Sequence, residues 1–211
     1  MFPAPLTFLT FGLIALGMVL TPGPNMIYVI SRSITQGRNA GLISLGGVAL
    51  GFVVYMLCAA LGITALVMAV PYAYTALKLA GAAYLAWLAW QALKPGGQSP
   101  FVVKSLPVDG PPKLFFMGFL TNLLNPKIAV LYLSLLPQFI DQHRGHILAQ
   151  SLSLGATQIV LSLTVNGMVA VAAGSIASFL ATRPTWAKVQ RWLMGCVLGG
   201  LAVRMVADRA R

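Results

Sequence analysis

Lys127 is the residue whose type and position in this sequence are best suited to chemistry. It carries a positive charge and lies inside a long apolar run, residues 114–139. An ionisable side chain within a membrane-spanning segment is costly and by default indicates a functional site. There Lys127 would pair with a carboxylate of a bound molecule or release a proton. The alternative is that its long side chain reaches the membrane surface, and the sequence leaves both open.

Two proline-containing breaks carry most of the other candidate polar groups. The first, residues 21–25 (TPGPN), interrupts the apolar run 6–30, and the second, residues 122–127 (NLLNPK), interrupts the run 114–139. Proline removes a backbone donor and clashes with the preceding turn, so a continuous helix is not expected through either break. Within a membrane, broken backbone is tolerated only where protein buries it or a water-filled cavity meets it. Two interrupted segments at matching places in two halves predict the binding site of a transporter.

The groups at these breaks suit a zwitterionic ligand. The N-termini of half-helices would hold its carboxylate, and exposed carbonyls and amide oxygens would hold its ammonium. The asparagine side chains also have a local alternative, which is to cap the broken helices. The predicted substrate-binding residues are Pro22, Gly23, Pro24, Asn25, Asn122, Asn125, Pro126 and Lys127, with Gln158 and Asn166 as further candidates for lining the cavity.

Composition identifies an integral membrane protein. Of the 211 residues, 58% are hydrophobic and 8% are charged, whereas soluble domains are about a quarter charged. The net charge of +11 comes from Lys and Arg that lie between apolar runs. This pattern indicates loop topology in a membrane, so we expect a lipid environment and no nucleic-acid partner.

Six apolar segments are long enough to cross a bilayer as helices. The prediction is therefore an all-α membrane protein with six transmembrane helices, arranged as two inverted three-helix repeats, with helices 1 and 4 broken at proline. The chain would form one membrane domain, residues 1–211, with a first half at 1–93, a cytoplasmic linker at 94–113 and a second half at 114–211. The six segments are 6–30, 41–70, 72–93, 114–139, 149–180 and 186–207.

The distribution of Lys and Arg predicts the orientation. They concentrate in the loops after the first, third and fifth segments, whereas the loops after the second and fourth hold Arg144, or also Lys78 if it lies near the interface. The positive-inside rule then places the three basic loops in the cytoplasm and both termini outside.

Residues for catalysis or metal binding are scarce. The sequence has no Glu, and Asp109, Asp141 and Asp208 are all predicted outside the hydrocarbon, as are both histidines. We therefore expect no catalytic set, no metal site and no cofactor. A pair of Ser134 with Lys127 is the one hydrolase arrangement that remains.

Three motifs occur in order along the chain. The first is TPGPN at 21–25, followed by Ser33, Gly37, Arg38 and Gly41. The second is residues 81–87 (GAAYLAW), and the third is 119–140, with NPK at 125–127 and LPQFI at 136–140. Together they give the chain a resemblance, over nearly its whole length, to the lysine exporter/homoserine-threonine exporter (LysE/RhtB) family of bacterial amino-acid efflux proteins.

The resemblance implies an exporter of amino acids or close derivatives in the bacterial cytoplasmic (inner) membrane. It also implies proton antiport, with the two breaks lining the path. Some relatives carry an acidic residue in the second or fifth span, whereas this chain has Leu50 and Phe52 in the second and no acid in the fifth. Lys127 or Asp141 would then have to carry the coupled proton.

Without a buried acid, a neutral amino acid or derivative such as threonine, homoserine or leucine is a better substrate than lysine or arginine. Two other functions stay open. One is a passive channel or uptake carrier for small polar solutes, and the other is a membrane scaffold that transports nothing. The sequence also leaves open whether the protein forms homo-oligomers.

Overall fold

The computed structural model describes residues 3–63, 73–94, 107–182 and 184–207, and every element within these ranges is helical. Short π-helical turns span Ala59–Ile63 and Leu131–Leu135, and a 3-10 turn spans Leu136–Phe139. The helices are α1 Pro5–Leu20, α2 Pro24–Gln36, α3 Arg38–Cys58, α4 Ala73–Leu93, α5 Pro111–Leu123, α6 Pro126–Val130, α7 Ile147–Thr182 and α8 Pro184–Ala207.

Both predicted breaks are present. The chain bends by 50° between α1 and α2, and by 48° between α5 and its continuation through α6. Pro24 and Pro126 each lie in the first turn of the helix that follows the break. A missing N–H costs little there, because the first backbone donors of a helix have no partner within it. The prediction that these two segments are broken at proline is confirmed.

The described residues support two to four membrane spans. Arg38–Leu61 and Ile147–Ala173 are each long and apolar enough to cross a bilayer, and the two bent pairs add up to two more. The segments predicted at 72–93 and 186–207 are helical over most of their length, as α4 and α8. Residues 64–72 and most of the predicted linker lie outside the described residues. The six-span inverted repeat therefore stays a prediction.

The packing of α3 against α5 positions the second break. The two helices make the most extensive helix–helix contact within the described residues, and small residues let their backbones approach closely. A Cβ on Gly47 would overlap the Phe115 carbonyl oxygen, and one on Gly118 would overlap the Ser44 carbonyl oxygen. Bulkier side chains at either glycine would therefore separate the helices.

An ion-pair cluster ties the end of α2 to the residues before α5. The Arg32 guanidinium lies 2.6 Å from the Asp109 carboxylate, with both side chains 7% exposed. Arg32 also donates to the Pro107 carbonyl, at 3.0 Å, and Gln36 donates to the Asp109 carbonyl, at 2.9 Å. Two of the three loops predicted to be cytoplasmic, those after the first and third segments, therefore meet at one end of the bundle. The side of the membrane on which they lie stays a prediction.

Lys113 completes this cluster, with its ammonium 2.7 Å from the Asp109 carboxylate. The hydrogen bond from Lys113, together with the positive charges of Arg32 and Lys113, holds the pKa of Asp109 below its ordinary value. The carboxylate is thus kept charged at the end of the bundle where α2 and α5 are joined.

Gly47→Ala should destabilise the protein, because the added methyl group would force α3 away from α5. Overpacking of this kind costs about 1–3 kcal/mol, which corresponds to a fall in the unfolding midpoint of about 2–4 °C per kcal/mol in a chain of this size. Thermal unfolding in detergent measures the shift. Gly200→Ala is the matched control, because a Cβ there meets no atom within 4 Å. Equal midpoints for the two variants would contradict the close packing.

Asp109→Asn should lower the unfolding midpoint at neutral pH. Because the pKa of Asp109 is depressed in the folded protein, its carboxylate stabilises the fold at neutral pH, and this contribution is lost as the pH falls below about 4. The difference between the original protein and the variant should therefore be constant from about pH 5 to 8 and shrink in acid. Thermal unfolding at a series of pH values tests this. A difference in unfolding midpoint that grows toward low pH would contradict this prediction.

Candidate functional site

The second break presents Lys127 at the start of α6. Asn125 is the N-cap of this helix, and its side-chain oxygen accepts a hydrogen bond of 3.0 Å from the Lys127 backbone N–H. The local sequence thus favours the helix start in the way that capping residues usually do. The cap also fixes the orientation of the Asn125 amide. Its oxygen accepts the bond from the Lys127 N–H, so its NH₂ group must face away from that N–H.

The Lys127 ammonium donates hydrogen bonds to backbone carbonyls at the end of α1. Its Nζ donates to the Met18 carbonyl oxygen at 3.0 Å and to the Thr21 carbonyl oxygen at 2.6 Å. In a continuous helix the Met18 carbonyl would accept from residue 22, which is proline and has no N–H. The C-terminal end of a helix carries partial negative charge, which favours an ammonium group. Lys127 is 6% exposed, so it is buried and does not extend to the surface.

Gly23 leaves the space that this ammonium occupies. It is the N-cap of α2, with extended backbone that other residues also adopt. A Cβ at this position would lie 3.0 Å from Lys127 Nζ and 3.1 Å from its Cε. The glycine is therefore explained by the close approach of Lys127 and not by its backbone dihedrals.

The two breaks and α7 enclose a small cavity. Its volume is about 20 Å³, which has room for about one water molecule. An amino acid does not fit in this volume, so the cavity would have to widen to admit one. Of the residues that the sequence predicted, Gly23, Asn25, Asn125, Lys127, Gln158 and Asn166 line the cavity.

The remaining predicted residues lie elsewhere. Pro22, Pro24 and Pro126 shape the breaks but do not line the cavity. Asn122 is fully buried against Gly51, where a Cβ would lie 2.6 Å from the Asn122 Cβ. Both polar atoms of the Asn122 side chain lack a hydrogen-bond partner within the described part of the chain.

Asp141 lies apart from the cavity, in the loop before α7. Its carboxylate pairs with Arg144 at 3.2 Å and accepts a 3.0 Å hydrogen bond from the His143 backbone N–H. The Asp141 side chain is 45% exposed and borders an open hollow of about 310 Å³ beside the start of α1. The two candidates for proton coupling, Lys127 and Asp141, thus occupy different parts of the protein.

The cavity also has an apolar wall and one polar residue beyond those predicted from the sequence. The polar residue is Ser162, which is four positions from both Gln158 and Asn166 and so shares their face of α7. Helical spacing in the fifth segment was the signal that could have identified it. The apolar wall depends on helix packing, which the sequence does not reveal, and consists of Met18, Val19, Met26, Phe52, Ile128 and Leu131.

Hydrogen bonds along α7 fix the orientation of its two amides. Tyr132 donates its hydroxyl to Gln158 Oε1 at 2.7 Å, and Gln158 Nε2 donates to Ser162 Oγ at 2.6 Å. Asn166 Nδ2 donates to the Ser162 carbonyl at 2.8 Å. Each amide nitrogen therefore faces an oxygen on its own helix.

Several buried polar atoms around the cavity have no partner within the described residues. They are both side-chain polar atoms of Asn25, the Nδ2 of Asn125 and the Oδ1 of Asn166. These three residues are at most 5% exposed. A buried polar atom without a partner costs about 1–3 kcal/mol, so the cavity offers donors and acceptors for a polar ligand.

Comparison with known proteins gives consistent results. The model of a family described as "LysE type translocator" matches residues 16–209. The chain is 29% identical over 206 residues to a protein of Klebsiella pneumoniae named leucine efflux protein, covering 95% of this chain and 94% of that one. It is 27% identical over 202 residues to a protein of the same name from Enterobacter sp. (strain 638), covering 96% of each. No solved structure matches the chain.

Gly23→Val should destabilise the protein through Lys127. The extended backbone at residue 23 suits valine, so the cost should come from displacing the ammonium from its two carbonyl acceptors. Hydrogen bonds to charged groups are worth about 1.5–3 kcal/mol, and the unfolding midpoint in detergent should fall accordingly. The double variant with Lys127→Ala isolates this contact, because without the ammonium the valine should cost much less. If Gly23→Val lowers the midpoint equally with and without Lys127→Ala, the contact with Lys127 is not the reason for glycine at this position.

Proposed function

The chain belongs to the LysE type translocator family, and we propose that it exports neutral amino acids with aliphatic side chains, foremost leucine, by proton antiport. Membership of the family makes it a membrane transporter for amino-acid efflux and not an enzyme. Its proposed location is the bacterial cytoplasmic membrane, with both termini outside.

One observation carries the substrate proposal: the cavity joins a buried ammonium and unpartnered amides to an apolar wall. The Lys127 ammonium lies beside Gly23 at the α2 N-terminus, where a carboxylate is favoured. The Asn125 Nδ2 is a further hydrogen-bond donor of a residue that lines the cavity. The described residues that line the cavity include no carboxylate. A substrate carboxylate would therefore supply the negative counter-charge that the cavity lining does not offer to the Lys127 ammonium.

The apolar wall supports an aliphatic side chain. Met26, Phe52 and Leu131 offer no hydrogen bond to a hydroxyl group, which favours leucine over threonine or homoserine. The same lining offers no negative charge to the side chain of lysine or arginine. The similarity to relatives named leucine efflux protein also supports leucine as the substrate.

The two similar bends support the proposed inverted repeat. Each half would begin with a broken helix, and the bends of 50° and 48° both precede a helix with proline in its first turn. Transporters built from inverted repeats bind substrate where the broken helices of the two halves meet. Rocking of one half against the other would open the closed cavity to each side in turn.

For proton coupling we favour Lys127 over Asp141. Lys127 joins the two broken helices at the cavity, so a change in its charge would act directly on the substrate and on the contact between the halves. Asp141 already pairs with Arg144 at a partly exposed site. Loss of proton-driven export in Asp141→Asn, with coupling intact in Lys127→Met, would reverse this assignment.

Proteoliposomes that contain the purified protein and carry a proton gradient should move leucine against its concentration gradient. Lys127→Ala and Asn25→Ala should abolish this transport without preventing membrane insertion, because both remove polar groups from the cavity. Thr121→Ala is the matched control, since its hydroxyl bonds the Met117 carbonyl within α5 at 2.7 Å. Transport of radiolabelled leucine, normalised to inserted protein, is the measurement.

The same assay separates the alternatives. Leucine flux that ignores the proton gradient would indicate a passive channel, and inward accumulation under the cellular gradient would indicate an uptake carrier. A protein that moves no solute, with altered association in the Lys127 and Asn25 variants, would indicate a scaffold. Normal export by both variants would rule out the site.

A further inference from the structure

The cavity is electrically asymmetric, and Asn166 forms its acceptor side. The fixed donors, the Lys127 ammonium and Asn125 Nδ2, lie at the second break, whereas Asn166 reaches the cavity from α7. We propose that Asn166 Oδ1 recognises the ammonium group of the transported amino acid and so determines specificity for substrates with a free α-amino group. This inference rests on the proposed amino-acid export.

The orientation of the Asn166 amide is fixed by its own helix. Its Nδ2 donates to the Ser162 carbonyl at 2.8 Å. Turning the amide over would place the oxygen against that carbonyl and exchange an attraction for a repulsion. The Oδ1 atom therefore stays directed away from Ser162, buried and without a partner in the described part of the chain. Such an atom is an acceptor that a bound donor would satisfy.

The neighbouring amide on α7 does not offer the same group. Gln158 is fully buried, and its Oε1 already accepts from the Tyr132 hydroxyl at 2.7 Å. Its Nε2 is engaged by Ser162 Oγ. Of these two cavity-lining amides, Asn166 is thus the one whose oxygen is available to a ligand.

The donors at the breaks determine which end of a zwitterion meets Asn166. The Asn125 oxygen is occupied by the Lys127 backbone N–H, so its free Nδ2 reinforces the positive charge of the Lys127 ammonium. A substrate carboxylate is attracted to this side and a substrate ammonium is repelled from it. The ammonium is left to the α7 side, where Asn166 Oδ1 is an unpartnered acceptor. Asn25 also has an unpartnered Oδ1, but it follows two residues after Gly23, which approaches the Lys127 ammonium, and so belongs to the side that repels a substrate ammonium. A site built to bond an NH group strongly rejects an analogue that lacks it, because its own polar atom then stays buried and unpaired.

The test compares leucine with 4-methylpentanoate, which keeps the carboxylate and the branched chain but lacks the amino group. Binding to the purified protein is measured by isothermal titration calorimetry, in the original protein and in Asn166→Leu, Asn166→Asp and Thr164→Leu. The original protein should prefer leucine by about 10- to 100-fold, the range expected for one hydrogen bond to a charged group. Asn166→Leu, which removes the acceptor at nearly constant size, should reduce this ratio to near one.

The other two variants control for a merely structural role. Asn166→Asp keeps an acceptor oxygen, so the preference for leucine should persist or increase. Thr164→Leu makes a similar polar-to-apolar change at an exposed position of α7 and should leave the preference unchanged.

A preference for leucine that survives unchanged in Asn166→Leu would overturn the inference while leaving the proposed function intact. Equal binding of leucine and 4-methylpentanoate by the original protein would also overturn it, and needs no variant to fold. If the original protein neither binds nor transports leucine or another neutral amino acid, the proposed function fails and the inference fails with it.

Discussion

The bond from the Lys127 ammonium to the end of α1 is the contact on which the site depends. Proline at residue 22 cannot donate to the Met18 carbonyl, which accepts from the Thr21 backbone N–H at 3.2 Å instead. The ammonium from the other half of the chain adds a second donor to this carbonyl and also bonds the Thr21 carbonyl. The buried charge is compensated by the hydrogen bonds to these two carbonyl oxygens, at the helix end that carries partial negative charge. The two breaks thus compensate each other, and their meeting creates the cavity that the proposed transport requires.

The sequence predicted the breaks because their cause is local. A proline without an N–H interrupts a helix whatever surrounds it, and both bends occur where Pro22, Pro24 and Pro126 placed them. The sequence could not predict that Lys127 would bond Met18 and Thr21, because these partners lie 109 and 106 positions away. Such pairing depends on how the two halves pack, which no local pattern specifies.

Asn122 and Ser162 show the same limit at the level of single side chains. Asn122 stands only three positions before Asn125, but the helix ends between them, so one packs on α3 and the other caps α6. Ser162 also lines the cavity, and in the sequence only its helical spacing from Gln158 and Asn166 indicates this. The orientation of these amides, which decides whether the cavity presents an oxygen or a nitrogen, depends on bonds to Ser162 and Tyr132 that only the packed structure reveals.

Helices α2 and α5 are joined by polar contacts at both ends. At one end, Lys127 after α5 holds the carbonyls before α2, and at the other, Asp109 before α5 holds Arg32 of α2. Between them, Met26 and Ile30 of α2 pack with Val165 of α7 in an apolar cluster. Releasing one joint while the other holds would tilt α2 and open the cavity at one end only. Because water or a charged ligand can replace a polar contact, both joints suit the proposed alternating access.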